Sequence, residues 1–174
     1  MKARNYREVK GMPYTRIEYV DSIPQPKITK YTLGKPSETY TYQVSLVANE
    51  QVQIRHNALE AARVAANRYL QKMLGEKFFM RVIPIPHNIL RENKMIFGAK
   101  AERLQKGMRR AFGKPVGRAA RVKPNQEIIA IRVDEDGLEA AKEALRRAAA
   151  KLPTKCKIFI EKISTRQVDA QSSR

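Results

Sequence analysis

Two stretches of this chain carry the 3.6-residue period of an α-helix with signals at both ends, and most of what flanks them carries the two-residue period of a strand. That alternation is its strongest constraint. In the first stretch Leu59, Ala62, Ala66, Leu70 and Met73 recur on one helical face. Asn57 suits an N-cap, Glu60 stands where a capping-box partner belongs, and Gly75 suits a C-cap. On this reading Arg63, Arg68 and Lys72 are left to solvent or to a ligand. In the second stretch Asp136 and Glu139 repeat the capping pattern, Leu138, Ala141, Leu145, Ala148 and Leu152 make the buried face, and Pro153 stops the helix.

Strands are predicted at 39–48, where Tyr40, Tyr42, Val44 and Leu46 sit two apart, and at 77–85, closed by Pro84 and Pro86. Further strands are expected at 116–122, 127–133 and 155–163, with a short apolar stretch at 95–97. Two units of strand, capped helix and strand therefore follow one another. The implied class is α+β, two helices covering mixed, mostly antiparallel sheets.

Residues 1–38 read differently. Pro13, Pro24, Pro26 and Pro36 interrupt any helix, while Tyr6, Tyr14, Tyr19 and Tyr31 alternate with Arg4, Arg7, Arg16 and several lysines. Aromatic rings among cations suit RNA, where rings stack on bases and charges meet phosphates. The same tyrosines would also serve to pin an extended arm to the domain's own core. The expected organisation is an amino-terminal arm (1–38), one α+β domain (39–166) containing a mobile basic loop (99–117), and a disordered tail (167–174).

Charge then narrows the partner. The 174 residues hold 35 Lys+Arg against 17 Asp+Glu, a formal net charge of +18. Such a chain repels itself unless a polyanion neutralises it, and nucleic acid is the default polyanion. No apolar run approaches the roughly 18 to 20 residues of a transmembrane helix, and the first 16 residues lack the apolar core of a signal peptide, so no membrane partner and a cytoplasmic location are expected. One cysteine, Cys156, allows no internal disulfide and no thiolate-rich metal site.

The distribution of that charge is uneven. Between Arg91 and Lys123 stand eleven basic residues and two acids, an excess of nine that is half of the whole chain's +18 in 33 positions. Arg91, Lys94, Lys100, Arg103, Lys106, Arg109, Arg110, Lys114, Arg118 and Arg121 are the candidate RNA-binding residues, with Arg4, Arg7 and Arg16 of the arm. Gly98, Gly107, Gly113 and Gly117 punctuate the segment and favour a loop whose backbone approaches phosphates. Lys100, Arg103, Lys106 and Arg109 also fall three apart, opposite Ala101, Leu104 and Met108, so part of it reads equally as a basic helix.

Catalytic readings are weaker. Asp134-Glu135-Asp136 offers hard oxygen ligands for a divalent cation, but a turn leading into the second helix explains it better. His87 lies beside no partner in a nucleophile motif, and Gly113-Lys114 is followed by Pro115 where a P-loop needs Ser or Thr. No catalytic residue, metal or cofactor is assigned, and the chain is expected not to be an enzyme. An RNA-processing enzyme and a freestanding nucleic-acid chaperone are the alternatives.

Several strings are specific enough to name a family. Pro86-His87-Asn88-Ile89-Leu90-Arg91-Glu92-Asn93-Lys94-Met95, the run from Glu102 to Gly117 containing Gly107-Met108-Arg109-Arg110-Ala111-Phe112-Gly113-Lys114-Pro115, and Ala120-Arg121-Val122 resemble the universal large-subunit ribosomal proteins called L-sixteen in bacteria and L-ten-e in archaea and eukaryotes. Tyr6-Arg7, Pro13-Tyr14-Thr15-Arg16 and the run from Asn57 to Arg63 extend the resemblance over nearly the whole chain, and its long amino-terminal segment looks archaeal in type. Lys100, Glu102, Asn5 and Arg118 depart from the usual Gly, Asp, Cys and small residue. The resemblance implies an α/β-hammerhead-like fold embedded in large-subunit rRNA near the tRNA elbow and acceptor arm. It also implies a loop (99–112) that reaches toward the peptidyl-transferase region, and neighbouring ribosomal proteins as further partners. Homo-oligomerisation is not expected.

Overall fold

The computed structural model describes residues 3–13, 17–20, 22–36, 39–93 and 113–163. Its strands are β1 (Thr32–Gly34), β2 (Tyr42–Ala48), β3 (Val52–Arg55), β4 (Phe79–Val82), β5 (Asn88–Glu92), β6 (Lys114–Val122), β7 (Glu127–Val133) and β8 (Cys156–Lys162). The helices are α1 (His56–Leu74) and α2 (Leu138–Ala149). One sheet runs β1-β4-β7-β2-β8 and a second β3-β6-β5. Every described pairing is antiparallel, so the sheets expected to be mostly antiparallel are so throughout the described residues.

β2 and β7 form the centre of the larger sheet because both are apolar enough to be enclosed. Val44 to Ala48 are all buried, and so are Ile128 to Ile131. The two helices pack on each other; α1 also meets β3, β4 and β6, while α2 meets β2, β7 and β8. Ile54, Val52, Ala120 and Val122 of the small sheet belong to the same apolar cluster as Val44, Leu46, Ile129 and Ile131 of the large one. A single core therefore joins the two sheets, and the α+β expectation holds.

Details of both helices differ from the sequence reading. Leu59, Ala62, Ala66 and Leu70 are fully buried as expected, but Met73 is 55% exposed and Leu74 turns inward in its place. The last turn is set by where α2 begins: the Leu74 side chain lies against Gly137, whose missing Cβ leaves room for it. Asn57 is not the N-cap. The helix starts one residue earlier, Arg55 occupies the cap with no side-chain hydrogen bond, and Glu60 binds Arg63 through Nε at 2.9 Å. Arg63 is accordingly drawn onto the helix surface instead of standing free. Gly75 ends the helix as predicted, with φ +62° and its N–H donating to the Gln71 carbonyl.

At α2 the Asp136 cap is likewise replaced. Residues Glu135–Gly137 form a 3-10 turn, and it is Asp134 that accepts hydrogen bonds, from the N–H and Oγ1 of Thr41 at 3.3 Å each. The carboxylate thus ties the end of β7 to the start of β2, which local pattern alone does not reveal. α2 ends at Ala149, four residues before Pro153.

The strands at 42–48, 79–82, 114–122, 127–133 and 156–162 match expected segments within a few residues. Phe78, Met80 and Val82 alternate onto the buried side of the second of these. β1, β3 and β5 were not anticipated. β1 lies within the stretch read as an extended arm, and Gly34 explains how it reaches the sheet. Its φ of +86° is a left-handed conformation, and a Cβ there would sit 1.9 Å from the Phe78 carbonyl oxygen. The stretch 95–97 lies outside the described residues.

Candidate nucleic-acid interface

The small sheet is the seat of the amino-terminal arm. Gln53, buried on β3, donates from its backbone N–H to the Arg7 carbonyl at 2.8 Å and from Nε2 to the Tyr6 carbonyl at 3.0 Å. Its Oε1 accepts from the amide of Asn88, itself buried on β5. Tyr6 returns the contact through its hydroxyl, which donates to the Arg91 carbonyl at 3.0 Å. Burial raises the Tyr6 pKa, as does the nearby Glu92 carboxylate. Farther along, Val20 and Ile28 are buried and Tyr31 packs against the core. Hydrogen bonds of this kind contribute about 0.5–1.5 kcal/mol net each, so the arm is held by their number together with those apolar anchors.

Three cations expected to bind RNA have a structural duty here. Arg118 Nε donates to the Pro24 carbonyl at 2.8 Å, Arg121 donates to the Gly11 carbonyl at 2.8 Å, and Arg91 donates to the Tyr19 carbonyl at 3.1 Å. All three lie on β5 or β6 and each grips a different part of the arm. The two readings of the arm's aromatic residues also separate by position, since Tyr6 and Tyr31 are anchors whereas Tyr19 is 67% exposed. Arg4, Arg7, Lys114 and Lys123 are exposed around the same seat. Arg16 lies outside the described residues.

The β5–β6 ladder places the two sides of the basic segment together. Glu92 pairs with Lys114, and a Cβ on Gly113 would come within 2.7–2.9 Å of backbone atoms of Glu92 and Asn93. Gly113 is thus a point of close backbone approach. Gly117 is buried within β6, beside Leu90, so the strand takes in the last four positions of the stretch read as a loop. Residues 94–112, with six basic residues and one acid, are flanked by these adjacent positions. Lys94, Gly98, Lys100, Arg103, Lys106, Gly107, Arg109 and Arg110 all lie outside the described residues.

No catalytic constellation forms among the described residues. His56 Nδ1 accepts from the Lys27 backbone N–H at 3.1 Å, and burial, then Lys27, Arg55 and Arg118, depress its pKa. His87 is exposed, with Nδ1 3.2 Å from the Ile85 carbonyl oxygen. Burial raises the Cys156 thiol pKa, opposite to what a nucleophile needs. Asp134, Glu135 and Asp136 are exposed around the turn, and no group of three His, Cys, Asp or Glu is placed to hold a metal among the described residues.

Sequence reading missed Gln53 and Asn88, since two neutral amides far apart in the chain carry no local signal. It also passed over Arg147 and Lys151. Arg147 stands on the last turn of α2 and Lys151 two residues past its end, and their four-residue spacing beside the helix was a signal available in the sequence.

Comparison with known proteins bears on the same residues. Positions 9–159 match the family described as ribosomal protein L16p/L10e. Among curated relatives, the large ribosomal subunit protein uL16 of Staphylothermus marinus is 52% identical over 160 residues, covering 91% of this chain and 92% of the relative. That of Hyperthermus butylicus is 53% identical over 158 residues, covering 90% and 88%. That of Methanococcus maripaludis is 51% identical over 161 residues, covering 92% and 93%.

Proposed function

We propose, from the premise that this chain belongs to the ribosomal protein L16p/L10e family and is a structural constituent of the large ribosomal subunit and not an enzyme, that it binds rRNA through its arm, its small sheet and the segment between β5 and β6. In this reading it lies near the tRNA cleft, with residues 94–112 directed toward the peptidyl-transferase region to support tRNA positioning. Neighbouring ribosomal proteins complete its surroundings, and it acts as one copy.

The observation that carries the reading is the clustering of cations around one seat. Arg4, Arg7, Lys114 and Lys123 are exposed about the arm and small sheet, and the six basic residues of 94–112 stand in the sequence between β5 and β6. Neutralising six to ten phosphates releases enough counterions to lose about a thousandfold or more in affinity between 50 and 200 mM salt. Arg118, Arg121 and Arg91 contribute indirectly, by fixing the arm that presents Arg4 and Arg7.

The test is gradient fractionation of cells carrying a tagged copy, washed at moderate and then high salt. Stoichiometric recovery in the large-subunit and intact-ribosome peaks supports the reading, and recovery only in light fractions overturns it. Arg109→Lys and Arg110→Lys keep the charge but lose the planar fork that binds phosphate bidentately and stacks. They are expected to impair incorporation; variants that incorporate and translate like the parent refute a specific role for those guanidiniums.

A further inference from the structure

The helix layer carries a second concentration of positive charge, beyond the small sheet. Two adjoining depressions of about 450 and 500 Å³ lie along the outward sides of α1 and α2, sharing Ala65, Arg68 and Lys151. Lys27 borders one end, and Lys72 and Arg147 the other. The single carboxylate in the lining, Glu60, is already bound to Arg63. Arg68, Lys72 and Lys151 are exposed, and no carboxylate lies within 4 Å of them among the described residues.

We infer that this groove is a second RNA-docking surface, one that grips the phosphate backbone and not the bases. The inference rests on the reading of the chain as an rRNA-binding protein and adds a site on another face. Three features select the occupant. Cations on both rims with no free acid between them fit a polyanion. The apolar part of the lining is Ala61, Val64, Ala65 and Ala150 beside Tyr69, mostly side chains small enough for a sugar-phosphate strand to lie close. The one aromatic ring in the lining, Tyr69, has one face taken by the Arg147 guanidinium, 4.1 Å from its centroid, and packs against the core, which makes it a poor platform for base stacking. An acidic helical peptide would need a row of large apolar anchors to bury, and the small Ala61, Val64, Ala65 and Ala150 side chains give such anchors little to pack on.

The experiment measures binding of the full chain to deproteinised large-subunit rRNA across a salt series. Three charge-swapped chains are compared with the parent. The groove variant is Arg68→Glu/Lys72→Glu/Lys151→Glu, and the control is Lys155→Glu/Lys157→Glu/Lys162→Glu on and beside β8. The third, Arg109→Glu/Arg110→Glu, tests the reading on which the inference rests. The groove variant is expected to keep the parent's melting temperature within a few degrees, since its three residues are exposed. It is expected to flatten the slope of log affinity against log salt by about two to three, at roughly 0.7–0.9 for each phosphate no longer neutralised. The control should change the slope by clearly less; an equal effect from both means that only net charge matters and overturns the groove. An unchanged groove variant beside a weakened Arg109/Arg110 variant overturns the groove and leaves the rRNA reading standing. If neither weakens, both fall. A photo-crosslinker on Ala61→Cys, in a Cys156→Ser background and in assembled subunits, supplies the location. Crosslinks to rRNA are expected, and crosslinks to protein alone would give the groove to an acidic protein partner and refute the proposal.

Discussion

Replacing Gln53 with Leu tests whether the arm is seated as a unit. Three hydrogen bonds converge on this residue. Its backbone N–H donates to Arg7, its Nε2 to Tyr6, and its Oε1 accepts from Asn88. Leu keeps the backbone bond and much of the volume but removes both side-chain bonds. A buried polar group that loses its partner costs about 1–3 kcal/mol. Gln53 is 7% exposed and Asn88 5%, so the amide side bears most of that cost, while Tyr6 is only half-buried. The sum is about 2–4 kcal/mol by the same measure. For a chain of this size about 2–4 °C of melting temperature goes with each kcal/mol, giving a drop of roughly 5–15 °C. The sharper assay is amide exchange at position 53, because that N–H is the one bonded to the arm. Release of the arm by 2 kcal/mol would lower its protection by about 30-fold. A second change, Asn88→Leu, removes the other buried amide, so the double variant should be less destabilised than the two single losses combined. Unchanged protection at position 53 with a melting point within about 1 °C of the parent would refute the seat. Strictly additive losses in the double variant would show that the Gln53–Asn88 bond does not couple the strands.

Three further outcomes follow from the fold. Leu59→Ala, at a fully buried position, should cost about 2–5 kcal/mol in denaturant melts, whereas Met73→Ala should stay within about 0.5 kcal/mol; the reverse order would restore Met73 to the core. Gly113→Ala pushes a methyl against the Glu92 backbone at 2.7 Å and should cost about 1–3 kcal/mol, with faster amide exchange at the Glu92 end of β5; parent-like exchange there refutes the close approach. His56 has a folded pKa below its ordinary 6.5, so the unfolded chain binds the proton more readily. Its contribution is fully present above pH 6.5 and is lost as pH falls through the folded value. Melting between pH 7.5 and 5 should therefore decline less steeply in His56→Gln than in the parent, and parallel profiles would contradict the assignment.

Much of the candidate interface was visible in the sequence as charge, because a cluster of eleven basic residues in 33 needs no tertiary information to be seen. What each cation does was not. Arg118 and Arg121 read the same as Lys114 in sequence, yet two hold carbonyls of the arm and the third is exposed. The difference lies in partners about 94 and 110 residues away.

The fold divides along the same line. Where a signal is local, the chain alone determined the outcome: the Leu59–Leu70 stripe, the Gly75 terminus and the Ile-rich β7 all depend on residues a few positions apart. Caps were the exception, since Arg55 and Gly137 hold the cap positions expected of Asn57 and Asp136, and Glu60 binds Arg63 instead of closing a capping box. The tertiary structure decided which strands pair, why β3 and β5 join β6 instead of extending the larger sheet, and how the arm is laid down. A strand's alternation specifies which face it buries but not its neighbour. The neighbour is settled only when the whole chain closes its loops and encloses one shared core, and with it the buried amides of Gln53 and Asn88 find each other.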